Sequence, residues 1–218
     1  MSLAALVKIP AGTVTLEGML ETPDGAAGLV LFAHGSGSSR HSPRNNYVAG
    51  VLRNAGVGTL LIDLLTPEED RDYARRFDVA LLTQRLLDAA RWAVSQAATR
   101  ELSLGFFGAS TGAAAALEAA AMLGPEAKAV VSRGGRPDLA SRHALASVTA
   151  PTLLLVGGVD DRVIDLNRQA YAQLQCEREI VIVPGATHLF EEPGALEEVA
   201  RQAAAWFARH LPTRQHSL

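Results

Sequence analysis

Short apolar runs alternate with helical patterns along most of this chain, and this alternation limits its fold more than any other feature. The runs occupy residues 29–33, 59–63, 102–107, 129–131, 152–156 and 180–183. Such runs are typical of strands covered on both faces, whereas residues 13–18 alternate as a half-exposed strand does. Residues 81–94 and 196–207 carry apolar side chains at helical spacing, and the first stripe includes Val94 and leaves Arg85 on the opposite, polar side. The order predicts right-handed crossovers and an α/β fold with a doubly wound, mostly parallel sheet and helices on both faces.

Composition excludes several classes of protein. The chain has 218 residues and no evident linker, so we expect one domain over residues 1–218 with a core that needs no disulfide, and the single cysteine could not form one. With 20 Lys and Arg against 23 Asp and Glu, it lacks the basic excess that nucleic acid or an anionic membrane would require. The first ten residues do not resemble a secretion signal, and no apolar window is long enough to span a membrane, so a cytoplasmic location is predicted.

The segment 108–112 reads GASTG and joins a predicted strand to an Ala-rich helical stretch. A serine at the apex of such a tight turn needs small residues two positions away on either side, as Gly108 and Gly112 are. The turn would aim the helix N-terminus and the Thr111 amide at the space in front of the Ser110 hydroxyl. Ser110 is therefore the candidate nucleophile, the alternative being a simple helix cap in a tight corner.

Two later loops carry an acid and a histidine, each after a predicted strand. Residues 157–163 read GGVDDRV, and residues 184–190 read PGATHLF. Serine, acid and histidine in this order match the triad of an α/β-hydrolase sheet, in which imidazole takes the serine proton and a carboxylate orients the imidazole. We predict His188 as the base and Asp160 as the acid, with the adjacent Asp161 capping a helix that begins near Val163.

The early loop HGSGSSR, residues 34–40, follows another central run. Its glycines allow a turn that points backbone amides inward, so the Ser36 amide, or alternatively that of Gly37, could be the second oxyanion donor beside Thr111. A dinucleotide-binding fingerprint is the competing interpretation. It fails because Arg40 stands where the third glycine is required and Asp63 lies too far along the chain.

These motifs resemble a known family. HGSGS, GASTG, GGVDDRV and GATHLF are similar to the corresponding segments of small α/β-hydrolases, and the compact layout resembles the dienelactone hydrolase-like branch. The resemblance spans nearly the whole chain. It implies an eight-stranded sheet with an antiparallel second strand, the triad Ser110, Asp160 and His188, and oxyanion amides at Ser36 and Thr111. Dienelactone hydrolases proper carry cysteine at the apex of this tight turn, which is called the elbow. Ser110 at that position makes the chain more similar to carboxylesterases.

The substrate site is expected to be shallow. Only about twenty residues separate the runs at 129–131 and 152–156, which leaves room for one short helix and predicts a minimal cap or none. Several cations could border the site. They are Arg40, His41 and Arg44 after the early loop, and Arg133 and Arg136 after the run at 129–131. Arg40, His41 and Arg133 are candidate ligands for an anionic substrate group, although solvated or ion-paired arginines would look the same.

The sequence thus predicts a serine hydrolase that cleaves small soluble esters through an acyl-enzyme, as a monomer or small homo-oligomer. A thioesterase or small peptidase would use the same groups, and a noncatalytic binding protein could retain the fold. The six histidines show no metal-ligand spacing, so we expect neither a metal nor a cofactor. Short acyl chains should be preferred because no cap would enclose a long one.

Overall fold

The computed structural model describes residues 2–211. The strands of this part of the chain are β1 (Leu3–Ala11), β2 (Val14–Thr22), β3 (Gly28–Ala33), β4 (Gly58–Ile62), β5 (Ser103–Ala109), β6 (Ala127–Arg133), β7 (Thr152–Gly157) and β8 (Arg178–Val183). The α-helices are α1 (Pro43–Asn54), α2 (Val79–Ser95), α3 (Thr111–Leu123), α4 (Arg142–Ser147), α5 (Asp161–Gln173) and α6 (Ala195–His210). Short 3-10 turns lie between some of them.

All eight strands form one sheet in the order β1-β2-β4-β3-β5-β6-β7-β8. β2 pairs antiparallel with β1 and β4, and the remaining neighbours are parallel. The predicted α/β-hydrolase sheet is therefore confirmed. β3 lies between β4 and β5, so the chain adds β4 on one side of β3 and then crosses to add β5 on the other side. The loops after β3 and β5 consequently emerge side by side, where open α/β sheets bind ligands.

Helices cover both faces of the sheet, as predicted. Successive side chains of a strand point to opposite faces, so β3 sends Leu31 toward α2 and α3, and Phe32 toward α1 and α6. The Phe32 and Phe107 rings stack on the α1 side with centroids 4.7 Å apart. These buried layers on either face hold the strand ends in fixed positions.

The edge strands depart from the sequence-based expectation. β1 was missed by the apolar pattern because Leu6, whose side chain is 56% exposed, interrupts the alternation and Pro10 is untypical of a strand. Pro10 is tolerated because β1 is an edge strand, where one row of amides has no strand partner. β8 forms the opposite edge and is only half-buried apart from Val183, so the prediction that it is covered on both faces was wrong.

Helix α2 also differs from its predicted faces. Val94, assigned to the apolar stripe, is 41% exposed, whereas Arg85, assigned to the polar side, is buried. The Arg85 guanidinium bonds Glu69 at 2.8 Å and lies in close contact with the Ala11 carbonyl. Buried polar partners far apart in the chain, rather than helical period, decide the position of Arg85.

No cap domain interrupts the sheet between β6 and β7. That connection consists of a short 3-10 turn (Pro137–Leu139) and the six-residue helix α4. The minimal cap expected from chain length is confirmed, and the carboxyl ends of the strands remain open. Within residues 2–211, no helix combines the length and apolar character required to cross a membrane.

Candidate active site

Ser110 occupies a strained turn between β5 and α3. Its backbone angles are φ 49° and ψ −122°, which a non-glycine residue adopts only when the surrounding structure enforces them. The flanking glycines are sterically required. A Cβ at Gly108 would lie 2.4 Å from Ala113 Cα, and one at Gly112 would lie 2.2 Å from the Ala33 carbonyl oxygen. The geometry expected of the GASTG segment is therefore present.

The loop after β6 holds this elbow in place. The Ser110 amide donates to the Arg133 carbonyl at 3.3 Å, and the Arg136 amide donates to the Ser110 carbonyl at 3.0 Å. Asn167 of α5 is buried and donates to the Gly135 carbonyl at 3.0 Å. Neither Asn167 nor Gly135 was predictable from the sequence, because an amide side chain in a helix has no distinctive motif.

Asp160 and His188 form a direct pair. The His188 Nδ1 donates to the Asp160 Oδ2 at 2.8 Å, with side-chain exposures of 38% and 19%. The expected capping role of Asp161 was wrong, because α5 begins at Asp161 and its N-cap position is Asp160. The Asp160 side chain makes no capping hydrogen bond, so its carboxylate is directed to His188 instead.

Backbone contacts hold the acid and histidine loops together. The Val159 amide donates to the Ala186 carbonyl at 3.1 Å, and the Gly158 amide donates to the Val183 carbonyl at 2.8 Å. A Cβ at Gly157 would lie 2.5 Å from the Ala186 carbonyl oxygen, so only glycine permits this approach. The two catalytic candidates are therefore carried on one rigid pair of loops.

His188 and Ser110 contact the same loop. A Cβ at Gly134 would lie 3.6 Å from His188 Cε1, and the carbonyl of the neighbouring Arg133 accepts a hydrogen bond from the Ser110 amide. Among the hydrogen bonds of residues 2–211, none joins the Ser110 Oγ to the His188 ring. Catalytic hydrogen bonds are often long without substrate and shorten when it binds.

The loop after β3 contacts Ser110 through a tight turn, residues 35–38, which we call the oxyanion turn. The Ser38 amide donates to the Gly35 carbonyl at 3.2 Å, and Gly37 has φ 69°, as the third residue of a type II turn requires. A Cβ at Gly35 would lie 3.8 Å from the Ser110 Oγ. In the described part of the chain, the Ser36 and Thr111 amides have no hydrogen-bond partner and are available to a ligand.

His34 fixes the start of the oxyanion turn and was not singled out from the sequence. It is buried, its Nε2 accepts the Leu64 amide at 3.2 Å, and its Nδ1 donates to the Gly35 carbonyl at 2.9 Å. Because an amide only donates, Nε2 must be unprotonated and the ring neutral. Burial lowers the pKa of His34, consistent with this neutral form.

The three predicted substrate-binding cations have different environments. Arg40 does not present a free charge, because its guanidinium is in close contact with Asp63 and lies 2.8 Å from Glu17. These carboxylates, distant in sequence, already neutralise the Arg40 charge, so the geometry favours the ion-paired alternative for Arg40. His41 is exposed, and its amide donates to the Ser39 Oγ at 3.2 Å.

Arg133 is a buried cation without a protein counter-charge. Its side chain ends in a buried Nη1 that has no hydrogen-bond partner, and no ion pair to it occurs within residues 2–211. Burial and the nearby Arg44 charge lower the pKa of Arg133 to about 10, so it remains protonated at neutral pH. Arg136 differs, because Asp138 pairs with it through two bonds of 2.7 and 2.8 Å and raises its pKa.

A cavity of about 320 Å³ lies on the β2 and β4 side of the oxyanion turn. Its lining includes His34, Ser39, Arg40 and Asp63 but no member of the candidate triad. The three candidate triad residues instead follow the carboxyl ends of β5, β7 and β8. Among residues 2–211, no group of three or more His, Cys, Asp or Glu is arranged to hold a metal ion.

Comparison with known proteins shows the family and the fold of the chain. A family model described as the dienelactone hydrolase family matches residues 17–213. The crystal structure of a dienelactone hydrolase from Anabaena variabilis superposes with a TM-score of 0.93 and 55% identity, covering 96% of this chain and 99% of that one. At 20% identity and a TM-score of 0.79, a Xanthomonas campestris protein described as an α/β serine hydrolase without lid shares the fold over 97% of both chains.

A curated relative from Mycobacterium tuberculosis has a different name. It is called a putative phosphoribosyl transferase and is 57% identical over 205 residues, which cover 94% of this chain and 46% of the relative. The chain therefore spans about half the length of that relative. From the match over residues 17–213 and the similarity to the Anabaena variabilis structure, the chain belongs to the dienelactone hydrolase family.

Proposed function

We propose that this protein is a serine hydrolase that cleaves small esters. Ser110 is the nucleophile, His188 the general base, Asp160 the group that orients His188, and the Ser36 and Thr111 amides the oxyanion donors. The observation that carries the proposal is the strained Ser110 beside two unpartnered amides, one at the start of α3 and one in the oxyanion turn. Strained residues of this kind cost free energy and cluster at active sites, where the strain is part of the mechanism.

The reaction follows from these groups. The Ser110 Oγ attacks the ester carbonyl carbon while the His188 Nε2 takes its proton, and Asp160 stabilises the imidazolium through Nδ1. The carbonyl oxygen becomes an oxyanion that accepts hydrogen bonds from the Ser36 and Thr111 amides. His188 then protonates the departing alcohol, which leaves Ser110 acylated. Water attacks the acyl carbon while His188 takes its proton, and His188 then returns that proton to the Ser110 Oγ as the bond to the acyl group breaks and the acid product leaves.

Esters are the first choice among substrates that share this chemistry. Solved structures named as esterases have the same fold, including Est1E from Butyrivibrio proteoclasticus at 17% identity and a TM-score of 0.80 over 94% of this chain and 98% of that one. The lack of a cap supports small substrates with short acyl chains. Thioesters and peptides remain alternatives that the same triad could serve.

The proposed function does not include the phosphoribosyl transfer that the name of the Mycobacterium tuberculosis relative suggests. The match leaves more than half of that relative outside the chain. The groups assembled around Ser110 are those of acyl transfer, and none of the steps above involves a phosphoribosyl group. The assignment therefore rests on the site and on the family.

We also propose that Arg133 binds an anionic group of the substrate. A guanidinium that is buried, protonated and unpaired is unfavourable, and a ligand carboxylate would neutralise it with charge-assisted hydrogen bonds. Its position supports contact with substrate, because Arg133 pairs in register with Ala109, next to Ser110. The nearby Arg44 is already paired with Glu191 at 2.8 Å, whereas Arg133 has no counter-charge among residues 2–211.

The decisive experiment combines labelling and turnover. Wild type and Ser110→Ala are treated with a fluorophosphonate, whose phosphorus is trapped by an activated serine, and assayed with 4-nitrophenyl esters of increasing chain length. We expect labelling and turnover in wild type only, with the highest kcat/KM for short acyl chains. Equal labelling of both proteins would exclude catalysis by Ser110. Matched oxygen esters, thioesters and amides of one acyl group would rank the three substrate classes.

A further inference from the structure

The segment between β4 and α2 contacts the oxyanion turn at two points. At its start, the Leu64 amide donates to the His34 ring, which leads into the turn. Further along, the Arg76 Nη1 lies 3.6 Å from the position that a Cβ of Gly37 would occupy. The crevice between turn and segment has no room for a water molecule. The segment and the turn therefore lie directly against each other.

Arg76 is itself held by Asp70. The Arg76 Nε donates to the Asp70 carbonyl at 2.8 Å and lies 3.0 Å from its Oδ1, while the Nη2 donates to its Oδ2 at 3.1 Å. The Asp70 amide in turn donates to the Thr66 carbonyl at 2.9 Å. A planar guanidinium with this many contacts has little freedom to move. The Arg76 side chain is 29% exposed, so it is not simply a solvated surface arginine.

Glu69 anchors the segment to the body of the protein. It pairs with Arg85 of α2 at 2.8 Å, and both side chains are only 10% exposed. Thr66 and Glu69 also exchange backbone-to-side-chain bonds of 2.9 and 3.2 Å. Polar contacts thus connect α2 with Glu69, Thr66, Asp70 and Arg76, and the end of the Arg76 side chain lies beside Gly37 of the turn.

We propose that Arg76 is a positioning residue that holds the oxyanion turn against Ser110. The inference rests on the proposed function, because the turn matters only if the Ser36 amide binds an oxyanion. Such donors must lie within 2.7–3.1 Å of the oxyanion, so a small withdrawal of Gly37 would weaken the bond in the transition state more than it would weaken substrate binding. Loss of one whole donor costs about 10²–10³-fold in kcat, which is the upper limit for Arg76.

The kinetic test uses Arg76→Ala, Arg76→Gln and a matched control, Arg71→Ala. Arg71 lies in the same segment, is exposed, and its side chain has no polar partner in the described part of the chain. For Arg76→Ala we expect kcat on a neutral 4-nitrophenyl ester to fall about tenfold or more with KM within about threefold. The inhibition constant of an alkyl boronic acid, whose tetrahedral adduct mimics the oxyanion, should rise by a similar factor. Arg71→Ala should match wild type.

A second measurement does not depend on ester hydrolysis. Hydrogen–deuterium exchange of the peptide that contains the oxyanion turn should be faster in Arg76→Ala and Arg76→Gln than in Arg71→Ala and wild type. Unchanged exchange, unchanged kcat, or a rise in KM alone would each overturn the positioning role. If Ser110→Ala retains wild-type turnover, the proposed function fails, while exchange in the turn still decides whether Arg76 supports it.

Discussion

The Asp160 Oδ2 accepts the His188 Nδ1 proton at 2.8 Å, although the two residues are 28 positions apart. Asp160→Asn should therefore lower kcat about 10³–10⁴-fold, because an amide can hold the imidazole in the wrong tautomer and cannot stabilise its charge. KM should change little. Steady-state kinetics with a neutral 4-nitrophenyl ester measures both constants.

Asp161→Asn is the matched control for that substitution. Asp161 is the first residue of α5 and makes no bond to His188. We expect kcat within about threefold of wild type, because removal of one charge at an exposed helix N-terminus alters only a weak dipole interaction. A similar decrease of kcat in both variants would show that the decrease comes from loss of a negative charge in this loop, rather than from loss of the orientation of His188.

The elbow glycines give a prediction about folding. Gly108→Ala and Gly112→Ala each place a Cβ within 2.4 Å of backbone atoms of a neighbouring strand or helix. No side-chain rotation can relieve such a contact. We expect the free energy of unfolding of either variant to be at least about 3 kcal/mol lower than that of wild type, or the variant to accumulate as insoluble protein. Urea unfolding followed by circular dichroism measures the difference.

Gly50 supplies the control for a glycine without steric constraint. It lies inside α1, and the nearest atom to an added Cβ is the flexible end of Arg53 at 3.8 Å. Gly50→Ala should raise the free energy of unfolding by about 0.5–1 kcal/mol, because alanine loses less conformational entropy in a helix. If Gly50→Ala lost as much stability as Gly112→Ala, tight packing around the elbow would not be the cause of the loss in Gly112→Ala.

The motifs were predictable from sequence because their geometry is local. Two glycines mark the GASTG turn in the sequence itself. The choice of Asp160 over Asp161 relied on Asp161 capping the helix, which was wrong, because Asp160 occupies the N-cap position of α5. The partners of Arg40 were not predictable, since Asp63 and Glu17 are distant in the chain and meet only when β2 and β4 pair. The support of the oxyanion turn by Arg76 was missed for the same reason.

The neutral His34 ring makes stability depend on pH. Its pKa is lower in the folded protein than in the unfolded chain, where it is about 6.5. Below that value the unfolded state binds a proton that the folded state does not. The contribution of neutral His34 to the free energy of unfolding is therefore fully present above about pH 6.5. It is lost as the pH decreases toward the folded pKa, by up to about 1.4 kcal/mol per pH unit.

His34→Gln tests this dependence. Between pH 7 and pH 5, its free energy of unfolding should fall less steeply than that of wild type, even though the variant is less stable at pH 7 through loss of a buried hydrogen bond. His210, whose pKa is also lowered by burial, contributes in the same range, so His210→Gln provides the comparison. Parallel curves for wild type and His34→Gln would show that His34 does not titrate differently on unfolding.

Arg133 gives the prediction that bears most directly on the substrate. A 4-nitrophenyl ester of glutaric acid and one of pentanoic acid differ mainly in a terminal carboxylate. The ratio of their kcat/KM values, corrected for uncatalysed hydrolysis, should fall about 10–100-fold in Arg133→Met, because a hydrogen bond between charged groups contributes about 1.5–3 kcal/mol. Methionine fills a similar volume without charge. Arg136→Met is the control, since Asp138 already neutralises Arg136 and the ratio should stay the same. If Arg133→Met slows both esters equally, the guanidinium supports the fold of the loop that holds Ser110 and does not contact substrate.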